Sequence, residues 1–199
     1  MHITTKKRMT EAKALFPQFT SALLGWLKVI EQNDFRNFLI KNTAFLLTLI
    51  KVGKVDSHVS LIYSEELLNY GYWHQQLLAE SIGKNGNDFT PIVSECPKDH
   101  HSIMQLYLDG RKNKFFTFIK IINSKNDKSI KDYLDQGFKK GNTINKIIDA
   151  QFNATINVFK KKLIPFRVIL VDVNKSTENF ISLLTYSMLE TAILCKALK

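Results

Sequence analysis

Two short runs hold the side chains best suited to proton transfer. The first is Gln75-Gln76-Leu77-Leu78-Ala79-Glu80-Ser81-Ile82-Gly83-Lys84, which puts a carboxylate at the end of an amphipathic helix. The second is Asp99-His100-His101-Ser102-Ile103-Met104-Gln105, which puts an imidazole at the start of the next helix. Brought to adjoining loop ends of one sheet, Glu80 and His101 would form an acid/base pair. Gln76 lies one helical turn before Glu80 and shares its face. Partial burial would tune Glu80 towards neutral pH as a general base. The alternative is a solvated helix-end acid paired with Lys84. His101 in a first helical turn would be kept largely neutral by the helix dipole, able to donate or accept a proton. Its alternative is a capping or packing histidine.

Other chemistry finds less support. Cys96 and His100 have no second Cys/His pair at ligand spacing, so no metal site is expected. Gly83-Lys84-Asn85-Gly86 does not follow the strand–glycine loop–helix order of a phosphate-cradling loop. No serine-nucleophile pattern occurs, and no cofactor is implied.

The elements that must position these residues alternate in type. After a helix around Leu23–Ile30 and another over Phe35–Val52, stopped by Gly53, a strand is expected over Val55–Tyr63. Ser64 is expected to cap the helix that ends at Gly83, and a second strand runs over Phe89–Ser94. Asp99 is expected to cap a helix from His100 to Leu108. Lys114–Ile122 has the continuous apolar character of a buried parallel strand. A polar loop and weak helix follow over Asn123–Lys140, then an amphipathic helix over Asn142–Leu163 and a strand over Phe166–Val173. Ser176 is expected to cap a last helix, apolar almost all round and hence buried. Strand–helix alternation of this kind implies a parallel sheet with helices on both faces, an α/β fold in three α/β/α layers. Ligands in such sheets bind beyond the carboxyl ends of the strands. The expected division is a helical segment over 1–53 packing on an α/β domain over 54–199.

With 199 residues, 45% of them hydrophobic, the chain suits one domain. The net charge of +10 is spread along the chain, with one triplet at Lys160-Lys161-Lys162. No aromatic-interleaved basic stripe accompanies it, so nucleic-acid binding is not expected. The two distant cysteines, Cys96 and Cys195, fit a reducing cytoplasm. No signal peptide or membrane span is expected.

The run from Gln75 to Lys84 resembles the Q-x-x-x-E-S-x-G-K motif of the glucose-6-phosphate isomerase family. Thr90-Pro91-Ile92, His101-Ser102, Gln105-Leu106-Tyr107-Leu108-Asp109-Gly110 and Lys114-Phe115-Phe116-Thr117-Phe118 resemble that family's next segments in the same order. Weaker similarity extends over Ala22–Gly25 and Asn145–Lys196. The resemblance implies the second of two flavodoxin-like sugar isomerase (SIS) domains. It also implies a sugar-phosphate substrate, glucose 6-phosphate or fructose 6-phosphate, and isomerisation through a cis-enediol. Glu80 would be the base, His101 would assist ring opening, and Gln76 would contact substrate hydroxyls. The histidine is typically supplied across a dimer interface, which implies a homodimer.

The departures are specific. The family's Gly-Gly-Arg-Phe/Tyr-Ser segment should lie just before Ala14, where Lys7-Arg8-Met9-Thr10-Glu11-Ala12-Lys13 stands instead, and its role does not transfer to Arg8. The other SIS half and the terminal segment with a catalytic lysine have no counterpart here. The expectation is an interior piece of the enzyme, inactive alone. It would act as half of a split isomerase with a complementing SIS half, or as a sugar-phosphate-binding module.

Overall fold

The computed structural model describes residues 24–27, 29–83, 89–123, 143–172, 174 and 176–198. Short helical stretches at 24–27 and 29–31 lead into α1 (Asn33–Lys51). Then come β1 (Ser57–Ile62), α2 (Leu68–Ile82), β2 (Thr90–Glu95), α3 (Met104–Asp109) and β3 (Lys114–Ile122). The described chain closes with α4 (Ile144–Lys161), β4 (Phe166–Asp172) and α5 (Ser176–Ala197). Lys84 and residues 124–142, where the polar loop and weak helix were expected, lie outside the described residues, as does the side chain of Ser176.

The four strands are all parallel, in the order β2-β1-β3-β4. That is the flavodoxin-like order, with its switch point between β1 and β3. Central β1 and β3 have both faces covered, which is why Lys114–Ile122 reads as an apolar run and not as an alternating one. Successive side chains of β3 still part to opposite faces. Phe116 and Phe118 join Tyr107, Phe152 and Phe159 beneath α3 and α4, whereas Phe115 joins Leu46, Leu78, Ile82 and Leu194 beneath α1, α2 and α5. Edge-on ring contacts tie the first layer together, with Phe116–Phe159 at 4.8 Å and Phe118–Phe159 at 5.1 Å between centroids. The expected three-layer α/β/α fold is the observed one.

Several local expectations are met differently. Gly53 does stop α1, at φ +67°, a conformation that suits glycine. Ser64 sits at the N-cap of a 3₁₀ turn, Glu65–Leu67, but makes no side-chain cap bond; its Oγ accepts the Ile121 amide at 2.8 Å and ties the β1–α2 connection to β3. The apolar side chains of α1 are only partly buried. Leu39 and Leu46 face inward with Thr43 between them, while Phe38 and Phe45 stay about half exposed on the flank.

The last helix is the largest correction. α5 is not buried through its apolar side chains alone: Met188 and Ile193 are exposed, and Glu190 is 1% exposed. The reason is Arg167 of β4, itself buried, whose guanidinium donates to the Glu190 carboxylate at 2.5 and 2.7 Å. Its Nε donates to Thr117 Oγ1 at 2.9 Å, which lies 2.7 Å from His58 Nε2. Tyr186 OH accepts from the same guanidinium at 3.0 Å. One pair thus joins β1, β3, β4 and α5. Burial alone would raise the Glu190 carboxyl, but the charge and hydrogen bonds of Arg167 more than reverse it and hold the group below the usual carboxylate range. By length and composition Thr177–Ala197 could cross a membrane, at mean hydropathy 1.3. Here it packs on α1, α2 and β4 with an ionised Glu190 turned inward, as a core helix does.

His58 and His74 sit beside this pair, 5.8 Å apart between ring centroids and both buried. Burial depresses both, His74 to about 4 with Arg167 adding to the effect against the opposing pull of Glu190. The folded state therefore resists protonation that the unfolded chain accepts near pH 6.5. The stability held by the neutral rings is complete above about pH 6.5 and falls progressively from there towards pH 4. The His74→Gln variant should show a shallower acid-side loss of stability by urea denaturation, by on the order of 2–3 kcal/mol at pH 4. Parallel curves for variant and parent would contradict it.

Candidate active site

Glu80 stands on the outer face of α2, two residues before the helix ends. The helix is anchored there by Leu78 and Ile82, which pack with Leu46, Phe115 and Leu194. Cys195 Sγ also donates to the Ser81 carbonyl at 3.2 Å. Spacing does the rest: with 78 and 82 facing the core, 72, 76 and 80 fall on the solvent side. Tyr72, Gln76 and Glu80 are all exposed, and Gln76 Nε2 donates to Glu80 Oε1 at 2.8 Å. The shared face of Gln76 and Glu80 is as expected. The partial burial of Glu80 is not observed.

His101 is placed differently from the expectation. The chain after β2 turns through a cis Cys96–Pro97 peptide and a short 3₁₀ helix, Lys98–His100, before α3 begins at Met104. His101 therefore lies in the connecting turn, exposed, and not in the first turn of an α-helix. Asp99 folds back instead of capping forward. Its Oδ2 accepts from Ser94 Oγ and from the Glu95 amide, both at 2.8 Å, which fixes the turn to the end of β2. Gln105 donates to Asp109 Oδ2 at 2.9 Å and leaves His101 alone. The neighbouring His100 is the engaged ring, with Nε2 2.9 Å from Tyr63 OH. Burial lowers the His100 ring from its ordinary value, helped by His101, and burial pushes the Cys96 thiol up to about 12.

Glu80 and His101 are not brought to adjoining loop ends within one chain. α2 leaves the carboxyl end of β1 and returns antiparallel to start β2 opposite Ser57, so its last turn lies at the amino edge of the sheet. His101 follows β2 and lies at the carboxyl edge. Six residues of β2 separate the two edges, about 20 Å of strand.

Sequence reasoning missed the buried cluster of Arg167, Glu190, Thr117 and His58. Its signal was present: one arginine within the apolar run of β4 and one glutamate midway along an apolar helix. Among the described residues no group of three or more His, Cys, Asp and Glu side chains is placed to hold a metal ion.

The fold and the exposed Gln76–Glu80 face define a flavodoxin-like three-layer α/β domain with one candidate carboxylate base at its amino edge. A hypothetical protein from Thermus thermophilus shares this fold with TM-score 0.70 and 21% identity, over 88% of this chain and 44% of that one. No protein-family model matches the chain. A probable glucose-6-phosphate isomerase of Methanococcus maripaludis is 34% identical over 163 residues, 81% of this chain and 36% of that protein. The glucose-6-phosphate isomerases of Methanocaldococcus jannaschii and Campylobacter jejuni are 41% and 35% identical, over 46% and 50% of this chain. The chain spans about a quarter to a third of the length of these curated relatives. Over the part it shares with them, the chain is similar to glucose-6-phosphate isomerases.

An exposed side chain held by one i,i+4 hydrogen bond contributes little to folding, roughly 0.2–0.5 kcal/mol. Glu80→Gln and Gln76→Ala should each leave the free energy of urea unfolding within about 0.5 kcal/mol of the parent. A loss above about 2 kcal/mol would make Glu80 a structural residue and remove it as a candidate base.

Proposed function

We propose that this chain carries the base-bearing part of an aldose–ketose isomerase site for glucose 6-phosphate and fructose 6-phosphate. The observation that carries the reading is Glu80, exposed on a helix face and oriented by Gln76 at 2.8 Å, in a chain whose relatives are named as such isomerases. In this reading Glu80 takes the proton from C2 of the opened aldose and returns it to C1 through a cis-enediol. Gln76 turns one carboxylate oxygen towards the substrate and contacts its hydroxyls. His101, at the opposite edge of its own sheet, assists ring opening in the site of a second copy, so the working unit is a homodimer or a complex with a complementing SIS half. The molecule acts in the cytoplasm as a soluble protein.

The geometry also supports low activity for the chain by itself. Glu80 faces water, and an enediolate formed there without a pre-aimed donor would lose about 10²–10³ in rate. The second reading, a sugar-phosphate-binding module without turnover, is favoured by the same exposure. In a coupled assay converting fructose 6-phosphate to glucose 6-phosphate, the purified chain should show at most trace turnover, abolished by Glu80→Gln. Ordinary turnover that persists in Glu80→Gln would overturn the assignment of the base. Sugar-phosphate binding with no turnover, insensitive to Glu80, would establish the binding-module reading instead.

A further inference from the structure

A second feature of the amino edge lies on the opposite layer from Glu80, outside the proposed isomerase site. The loop leading from α3 into β3 and the turn between α4 and β4 enclose a cleft of about 40 Å³, floored by Phe116 and Pro165. Arg111, Lys112, Lys114 and Lys162 line it. That space holds roughly three waters, the room a small tetrahedral oxyanion needs.

Part of this charge has a local explanation. Helix C-termini favour cations, and two helices end here. Lys112 Nζ donates to the Leu108 carbonyl of α3, and Lys162, just past α4, pairs with Asp109 at 2.6 Å. Lys114 Nζ reaches Asn113 Oδ1 at 2.8 Å. Arg111 is exposed and lies close enough to Asp56 for the two charges to interact. The nearby carboxylates offset part of this charge, Asp109 through Lys162 and Asp56 through Arg111 and Lys114. Asp109 is engaged by Lys162 and Gln105, and Asp56 by Ser57 and by both bonds from Asn113. Four cations therefore line a water-sized cleft beside two carboxylates, which leaves a net charge of +2.

We propose that this cleft is a phosphoryl-anion site, with Arg111 as the two-pronged donor and Lys112, Lys114 and Lys162 as point charges around it. A planar guanidinium fork matches a tetrahedral oxyanion bidentately, and ammonium groups complete the charge. The ligand is free phosphate or the phosphate of a small ester; both present the same oxyanion.

The test is isothermal titration of the full chain with inorganic phosphate, and separately with a phosphate monoester, at low and moderate salt. Phosphate should bind, weaken as salt rises, and bind about tenfold to a hundredfold more weakly to Arg111→Gln, whose exposed side chain leaves folding intact by circular dichroism. Equal affinity for phosphate and monoester would make the oxyanion itself the determinant, whereas tighter monoester binding would assign the site to a metabolite. Glu80→Gln should bind phosphate as the parent does, which separates this site from the isomerase reading. The proposal is overturned if no heat of binding is seen, or if Arg111→Gln and Lys162→Gln bind like the parent. It is equally overturned if duplex DNA binds orders of magnitude more tightly than phosphate with a steep salt dependence, the mark of a nucleic-acid surface.

Discussion

The architecture depends on one buried ion pair. Arg167 leaves the start of β4 into the layer beneath α5, and without Glu190 it would be an uncompensated charge in an apolar interior. Removing one partner of such a pair typically destabilises by about 3–5 kcal/mol, because the other charge stays buried. The pair does more than neutralise itself. Its guanidinium lies 5.6 Å from the ring centroids of both Phe115 and Tyr186, and its Nε holds Thr117, so register across β3 and β4 and the rotation of α5 are set together. A rotation of α5 that buried Met188 or Ile193 would expose Glu190 and strand Arg167.

From that constraint the placement of the candidate base follows. α5 and α2 pack on the same face of the sheet, and Tyr70 OH lies 2.7 Å from Ser187 Oγ between them. With Tyr70, His74, Leu78 and Ile82 turned inward, α2 has no freedom to bury Glu80. The carboxylate is exposed because its helix neighbours are needed in the core. Exposure leaves it accessible from solvent. The topology carries the same message for His101. A parallel βαβ unit sends the end of its helix and the end of its next strand to opposite edges, so the two groups lie at opposite edges of one chain's sheet.

Much of this was legible in the residues. Continuous apolar runs at Lys114–Ile122 and helical spacing at Phe152 and Phe159 gave the layers, and Gly53 gave a stop that the positive φ explains. The Gln76–Glu80 pair was legible because i,i+4 spacing fixes a shared face whatever the tertiary surroundings. Three features were not. Capping motifs compete with tertiary partners, so Ser64 bonds to β3 and Asp99 to β2 and not to the helices that follow them. Apolar content does not report helix orientation, so the inward face of α5 is set by a glutamate that only the position of Arg167 explains. Edge placement needs the topology: the residues put His101 after a strand but leave Glu80, at the far end of its helix, unplaced, and the antiparallel return of α2 sets the two at opposite edges.

The most direct test is transplantation. Residues 70–118 of this chain would replace the corresponding segment of the Methanocaldococcus jannaschii glucose-6-phosphate isomerase. The conversion of fructose 6-phosphate would then be measured with and without Glu80→Gln. The account predicts an active chimera that loses about 10²–10⁴ of its rate on that substitution, the usual contribution of a positioned general base. A folded chimera whose activity is indifferent to Glu80 would contradict it.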